Sequence, residues 1–137
     1  MAIQRKHIAE ITRFGISGVA GFAVDAGLVA LLTGALGLGP IIAQVIAFAA
    51  AVTVTWLINR HWTFAAHASD RWLNEWTRYV AANSIGALVN NGIYVVLVLT
   101  ETMFSKEPIL AIIAGSIAGM GFNFASAKMV VFTSEWK

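Results

Sequence analysis

The 137-residue chain is 58% hydrophobic and 12% charged, and its mean hydropathy is +0.76. A water-soluble domain of this size needs much more polar side-chain surface, so the composition predicts an integral membrane protein. The formal net charge is only +2, and the cations lie at the ends of apolar runs rather than along a stripe, which argues against a nucleic-acid-binding protein. The absence of cysteine excludes disulfides and thiolate metal sites.

Four apolar runs are each long enough to cross a bilayer, since a spanning helix needs about 20 mostly apolar residues. The predicted spans are residues 14–36, 41–58, 79–100 and 108–131. They use most of the chain, so we predict a single all-α transmembrane domain over residues 1–137.

Two further segments have the pattern of helices that lie at the membrane surface. Residues 1–13 are polar with apolar positions at helical spacing, and Trp72, Trp76 and Tyr79 share one helical face. We therefore predict a surface helix before the first span and another before the third. The charged residues near the second segment are expected to face water and headgroups: Asp70, Arg71, Glu75 and Arg78.

The distribution of cations predicts the orientation of the spans. Eight of the nine Lys and Arg residues lie before the first span, between the second and third, or at the C-terminal end, which includes Lys137. Only Lys106 lies in a loop on the other side. Because loops rich in Lys and Arg stay in the cytoplasm, both termini are predicted to be cytoplasmic.

The sequence contains an internal repeat of one two-span unit, with copies at about residues 10–64 and 75–132. Span three repeats span one at an offset of 65, pairing Arg13 with Arg78, Phe14 with Tyr79, Gly18 with Asn83, Gly21 with Gly86 and Asp25 with Asn90. Span four repeats span two at an offset of 68, pairing Arg60 with Lys128 and Phe64 with Phe132. Because each unit holds two spans, the repeats are predicted to be parallel, with a pseudo-two-fold axis along the membrane normal.

Small residues at four-residue spacing form a ladder on each second span of a repeat. The two ladders are Ala43, Ala47, Ala51, Thr55, Asn59 and Ala111, Gly115, Gly119, Asn123, Ala127. Such faces let helices approach closely, so each ladder is predicted to pack against a neighbour. The ladders exceed what one small bundle needs, and on that ground we predict a homo-oligomer.

Polar side chains within the spans are candidate functional groups, because each costs about a few kcal/mol in hydrocarbon. They include Asp25, Asn83 and Asn90. Asp25 shares a helix face with Gly18 and Gly21 and is expected to face the bundle interior. It is either a proton or substrate-cation site or a structural acceptor, paired with Asn90 or with a cation.

The cations at the cytoplasmic helix ends suit a phosphate group, because guanidinium and ammonium groups make charge-assisted hydrogen bonds to its oxygens. The predicted ligand-binding residues are Arg60, Lys128, Arg13 and Arg78, with Asn59 and Asn123 as neutral donors. Since Arg60 and Lys128 occupy equivalent positions, we expect them to share one anion. The alternative is that these cations only anchor the helix ends at the headgroups.

Chemistry of other kinds finds no support in the sequence. His61 has no second histidine or carboxylate at the spacing of metal ligands, so no metal or cofactor is predicted. There is no glycine-rich phosphate loop after a strand and no serine with a histidine partner at recognisable spacing. We therefore predict that the protein is not an enzyme.

Four ordered motifs together resemble the GtrA-like family of small four-span membrane proteins, over about residues 10–133. They are Arg13-Phe14 with Gly18, Gly21 and Asp25; the block Asn59 to Phe64; Arg78-Tyr79 with Asn90; and Asn123-Phe124 with Lys128 and Phe132. The family commonly has Asn-Phe where this chain has Thr55-Trp56.

The resemblance implies a role in cell-surface polysaccharide synthesis at the bacterial inner (cytoplasmic) membrane. It implies that the chain translocates a polyprenyl-phosphate-linked sugar to the outer leaflet, with that lipid and the membrane lipids as partners. The alternative that the resemblance offers is a membrane scaffold that recruits a glycosyltransferase. A third hypothesis, from the residues themselves, is a small proton-coupled exporter that uses Asp25.

Overall fold

Long helices with short connections account for most of the chain in a computed structural model, which describes residues 1–136. The helices are α1 (Ala2–Gly34), α2 (Pro40–Ile58), α3 (Trp72–Thr100), α4 (Thr102–Lys106) and α5 (Pro108–Ser126). Two π-helical turns, Asn59–Thr63 and Ala127–Val131, extend α2 and α5. Short 3₁₀ turns follow at Ala65–His67 and Ser134–Trp136. Lys137, counted among the cations above, lies outside the described residues.

Four stretches of helix are long and apolar enough to cross a membrane: Ile3–Gly34, Pro40–Thr63, Trp72–Thr100 and Ile109–Val131. The mean hydropathy of their most apolar windows lies between 1.5 and 2.2. Residues 1–136 contain no β-strand. The predicted all-α membrane architecture with four spans is therefore confirmed.

The two predicted surface helices are instead the first turns of the spans. α1 runs without a break from Ala2, and α3 begins at Trp72. Neither junction contains a glycine or proline that would end a helix, so helix propagation continues from the polar residues into the apolar ones. As a result α1 and α3 carry their charged first turns beyond the apolar part of the span.

The helices pair within each repeat. α1 packs along α2, and α3 packs along α5. The predicted ladders form these contacts: Ala43, Ala47 and Ala111 are fully buried, and Ala127 is almost so. Because both ladders are used within their own repeat, they no longer support the homo-oligomer, which stays a prediction.

The two repeats contact each other unequally on their two sides. By the repeat relationship, a contact between α2 and α3 has its counterpart between α5 and α1. The structure packs α2 against α3 more extensively than α1 against α5. The bundle is therefore closed on the α2–α3 side and comparatively open on the α1–α5 side.

Candidate functional site

A cavity of about 370 Å³, here called the groove, lies between the two repeats. Its polar lining consists of neutral side chains from all four spans: Ser17, Thr55, Asn59, Tyr79, Asn83, Asn90, Ser116 and Asn123. Val19 and Phe22 of α1 and Met120 of α5 also line it, and each is at least half exposed. The groove therefore opens sideways, between α1 and α5.

The groove begins near the charged end of the bundle and extends into the membrane. Along α3 it runs from Tyr79 to Asn90, a helix rise of roughly 16 Å. That is about half the ~30 Å thickness of the hydrocarbon core. The groove thus reaches from the level of Tyr79 to about the middle of the bilayer.

Hydrogen bonds fix the side chains at the inner end of the groove. Asn59 is buried, and its Nδ2 donates to the Tyr79 hydroxyl at 2.8 Å. Its Oδ1 accepts from Thr63 Oγ1 at 2.7 Å. Ser17 Oγ donates to the Thr55 carbonyl at 3.3 Å. Asn59, predicted as a headgroup donor, therefore lines the groove while it holds α2 to α3.

Asn123 offers the groove an unmet acceptor. Its Oδ1 is shielded from solvent and has no hydrogen-bond partner among residues 1–136. The amide lies against Gly86, where an added Cβ would overlap it, just as a Cβ on the equivalent Gly21 would overlap Thr55. A buried acceptor without a donor costs about 1–3 kcal/mol. If the amide turned from Gly86 into the groove, a ligand that brings a hydroxyl donor to Asn123 would recover this energy.

Aromatic rings separate the groove from the charged end of the bundle. Phe14 and Tyr79 line the groove, whereas Phe64 and Phe132 line cavities beyond it. Phe14 contacts Phe64 at 6.2 Å between ring centroids, and Tyr79 contacts Phe132 at 6.0 Å. Phe124 meets the Phe14 ring edge-on at 5.4 Å. This aromatic layer obstructs the bundle axis, so entry to the groove is from the side.

Arg60 belongs to a buried network that ties α2 to α3. Its Nη1 donates to Glu75 Oε1 at 2.7 Å, and its guanidinium lies 5.7 Å from the centre of the Trp56 ring. Glu75 is fully buried and also accepts from Trp56 Nε1 at 3.0 Å and from the Ser69 amide at 2.6 Å. The expectation that Glu75 faces water is therefore wrong, because the donors of Arg60, Trp56 and Ser69 replace its hydration.

Lys128 holds the equivalent ion pair on the other side of the bundle. Its Nζ donates to Glu10 Oε2 and lies 2.7 Å from His7 Nδ1. Glu10 and Glu75 are 65 residues apart, the offset that relates spans one and three. Each pair thus joins the first helix of one repeat to the end of the second helix of the other. The Glu10–Lys128 pair is the more accessible, with side-chain exposures of 10% and 31%.

The expectation that Arg60 and Lys128 share one anion is wrong. Each is bound to its own carboxylate, and those carboxylates stand on different helices. Lys128 lines a cavity of about 200 Å³ together with Glu10, His67 and Phe132. Arg60 lines none of the three cavities described for residues 1–136. A role of either cation in ligand binding stays a prediction.

Arg13 and Arg78, which were predicted to complete the anion site, also lie apart from the groove. Arg13 Nη1 donates to the Trp62 carbonyl at 3.3 Å, and its guanidinium lies 5.6 Å from the centre of the Trp62 ring. Arg13 lines a cavity of about 350 Å³ with Lys6, Glu10 and His67. Arg78 is half-buried on α3 and lines none of the described cavities.

Asp25 lies half-buried at the interface of α1 with α2, where Gln44 Nε2 donates to both carboxylate oxygens at 3.0 and 3.3 Å. Asn90 packs against Gly115 and Gly119 of α5 and lines the groove. The alternative that paired Asp25 with Asn90 is wrong, because each turns to the second helix of its own repeat. Asn83 lines the groove and donates to the Tyr79 carbonyl at 2.9 Å.

The sequence reasoning missed the two carboxylates that hold the cations. Glu10 and Glu75 stand at the same offset of 65 that relates the other matched residues of spans one and three. A search for acidic partners at that offset would have found both. Gln44, which holds Asp25, has Ile112 as its equivalent, so the repeat gave no signal for it.

A family model described as the GtrA/DPMS transmembrane domain matches residues 13–132 of the chain. No curated protein matches the chain. The matched region contains every residue that lines the groove.

Proposed function

The chain belongs to the GtrA/DPMS transmembrane-domain family, and from this premise we propose that it moves a polyprenyl-phosphate-linked sugar across the cytoplasmic membrane of a bacterial cell. It is a multi-pass membrane protein of glycan biosynthesis. The proposed partners are the sugar lipid and the surrounding membrane lipids. The proposed step is translocation alone, without bond making or breaking.

The observation that carries this proposal is the neutral polar lining of the groove. A sugar presents several hydroxyl groups, which are uncharged donors and acceptors. Amide and hydroxyl side chains satisfy such groups without the cost of bringing a charge into a low-dielectric site. The unmet Oδ1 of Asn123 is suited to a sugar hydroxyl. Apolar walls with a few polar groups are also the usual composition of a small-molecule site.

The lateral opening supports a lipid as the substrate. A long prenyl chain stays in the hydrocarbon of the membrane, so only the headgroup has to enter the protein. The rim between α1 and α5 presents exposed apolar side chains to the prenyl chain, among them Val19, Phe22 and Met120. The inner end of the groove lies beside Phe14 and Tyr79, whose buried rings close it toward the charged end of the bundle.

The depth of the groove supports a protein that opens to one leaflet at a time. Because the groove ends about halfway through the bilayer, a bound sugar would be protected from the far side. Transfer then needs a second state in which the outer half opens. Alternating exposure of a central site is the general behaviour of transporters built from repeats.

Reconstitution in liposomes tests the proposal. A polyprenyl-phosphoryl sugar with a fluorophore on its headgroup is distributed over both leaflets, and a membrane-impermeant reductant is added outside. With the protein present, we expect the reductant to bleach the inner-leaflet lipid as well as the outer. If the inner-leaflet lipid stays protected, the proposal fails; retention of a glycosyltransferase on the same purified protein would then favour the scaffold.

A further inference from the structure

The two equivalent ion pairs lie on sides of the bundle that differ in packing. Arg60–Glu75 lies on the closed side, where α2 packs against α3, and Glu75 is fully buried. Glu10–Lys128 lies on the open side, where it joins α1 to the end of α5. Arg60 and Glu75 therefore belong to a buried structural network on the closed side. Their equivalents, Lys128 and Glu10, bridge the end of the lateral opening on the open side.

Two cavities meet at the Glu10–Lys128 pair, and we call the region the α1–α5 mouth. One cavity, of about 350 Å³, contains Lys6 and Arg13; the other, of about 200 Å³, contains Lys128. Glu10, Phe64 and His67 line both. The Glu10 carboxylate thus stands between the cations of one cavity and the cation of the other. If the Glu10 carboxylate moved away from Lys128, an anion that took its place would lie between the cations of both cavities.

We propose that Lys128 in the α1–α5 mouth is the binding site for the phosphate group of the transported lipid, and that the Glu10 carboxylate occupies this site until the phosphate displaces it. The identity of the lipid rests on the proposed function. The ion pair at the mouth is then an exchange site, in which one oxyanion replaces another on the same ammonium group.

The excess of positive charge around the α1–α5 mouth favours the binding of an anion other than the Glu10 carboxylate. Lys6, Arg13 and Lys128 face the mouth, against the single carboxylate of Glu10. Glu10 bonds to Lys128 and lies 3.6 Å from His7. A phosphate can accept hydrogen bonds on several oxygens, so it can contact Lys128 and the cations of the larger cavity together. Its arrival would also break the link between α1 and the end of α5, next to the lateral opening.

The two halves of the pair should act in opposite directions on phosphate binding. We would measure binding of radiolabelled farnesyl phosphate to the detergent-purified full chain. Glu10→Gln removes the competing charge but keeps an oxygen that Lys128 can bond, so binding should become about tenfold tighter. Lys128→Gln should weaken it by about tenfold to a hundredfold. Weaker or unchanged binding by Glu10→Gln would overturn the proposal, because a purely structural pair predicts no gain.

Matched variants separate this exchange from general charge effects. Asp70→Asn removes an exposed carboxylate from the same end of the bundle, and Lys106→Gln removes an exposed cation from the last residue of α4. Both should bind farnesyl phosphate as the wild type does. If Asp70→Asn tightens binding as much as Glu10→Gln, long-range attraction explains the gain and the proposal fails. Thermal unfolding of each variant shows that the comparison is made on folded protein.

Competitors identify the source of the phosphate. We expect unlabelled farnesyl phosphate to displace the label, and farnesol, inorganic phosphate and phosphatidylglycerol to fail at the same concentration. Equal competition by farnesol would exclude a phosphate site. Equal competition by inorganic phosphate would show that the site binds free phosphate. Equal competition by phosphatidylglycerol would show that it binds an ordinary phospholipid. Either result would overturn the proposal.

This binding measurement does not depend on transport. A gain in Glu10→Gln by a protein that fails the liposome test would leave the phosphate site standing without the translocation. A protein that moves the lipid but shows no gain would leave the proposed function standing without this site.

Discussion

Phe64 and Phe132 stack with their ring centroids 5.0 Å apart and their planes inclined by 21°. Each is the residue that follows a π-helical turn, and its amide donates to the carbonyl five residues earlier at 2.8 Å. The two residues are equivalent in the repeat. Residues related by a two-fold axis can contact each other only near that axis, so the pseudo-two-fold of this bundle passes between these rings.

Close packing of Gly115 on Asn90 predicts that Gly115→Ala destabilises the protein. An added Cβ would lie 2.6 Å from the Asn90 carbonyl oxygen, which belongs to the backbone of α3 and cannot rotate away, and overpacking of this kind costs about 1–3 kcal/mol. Thermal unfolding in detergent measures the loss. Gly121→Ala on the same helix is the control, because a Cβ there meets no atom within 4 Å. Equal stability of Gly115→Ala and Gly121→Ala would contradict the packing described here.

Arg60→Ala should lower stability more than Lys128→Ala. Without its guanidinium, the fully buried Glu75 loses its counter-charge, and breaking a buried pair in this way costs about 3–5 kcal/mol. Glu10 lines two cavities instead, where water can solvate it. The measurement is the unfolding midpoint of each purified variant. A similar loss for both would show that the two pairs are energetically alike.

Hydropathy and periodicity were sufficient to predict the four spans, the buried ladders and the equivalence of Phe64 with Phe132. They could not predict the partners of the cations, because hydropathy scores Glu75 as polar whether it faces water or an arginine. The groove could not be predicted from the sequence either. Its existence depends on the unequal packing of α1–α5 and α2–α3, and equivalent residues in a repeat give no signal for a departure from symmetry.

Asp25→Asn should keep both the fold and the translocation. The Asn carbonyl can still accept a hydrogen bond from Gln44, and Asp25 does not line the groove. Asp25→Leu should instead cost about 1–3 kcal/mol, because the Gln44 amide would lose its acceptor within the span. Liposome translocation and unfolding midpoints of both variants test this. An Asp25→Asn variant that is stable but inactive would favour the proton-coupled hypothesis.

Both termini are predicted to face the cytoplasm, since the loops rich in Lys and Arg lie at their end of the bundle. Fusions of green fluorescent protein and of alkaline phosphatase to the C-terminus measure this directly. The first should fluoresce and the second should be inactive. An active phosphatase fusion would place the Glu10–Lys128 mouth at the outer leaflet and reverse the direction of entry.

The central claim is that the sugar passes through the groove, and a pair of glycine substitutions on α1 tests it most directly. Gly18 lines the groove and Gly27 does not, yet a Cβ at either position meets no atom within 4 Å. The Cβ of a leucine at 18 therefore overlaps no neighbour and its side chain takes up space at the groove, whereas leucine at 27 adds the same side chain away from the groove. In liposomes, we predict that Gly18→Leu slows translocation of the labelled sugar lipid about tenfold or more, whereas Gly27→Leu matches the wild type. Translocation by Gly18→Leu at the wild-type rate would contradict the account.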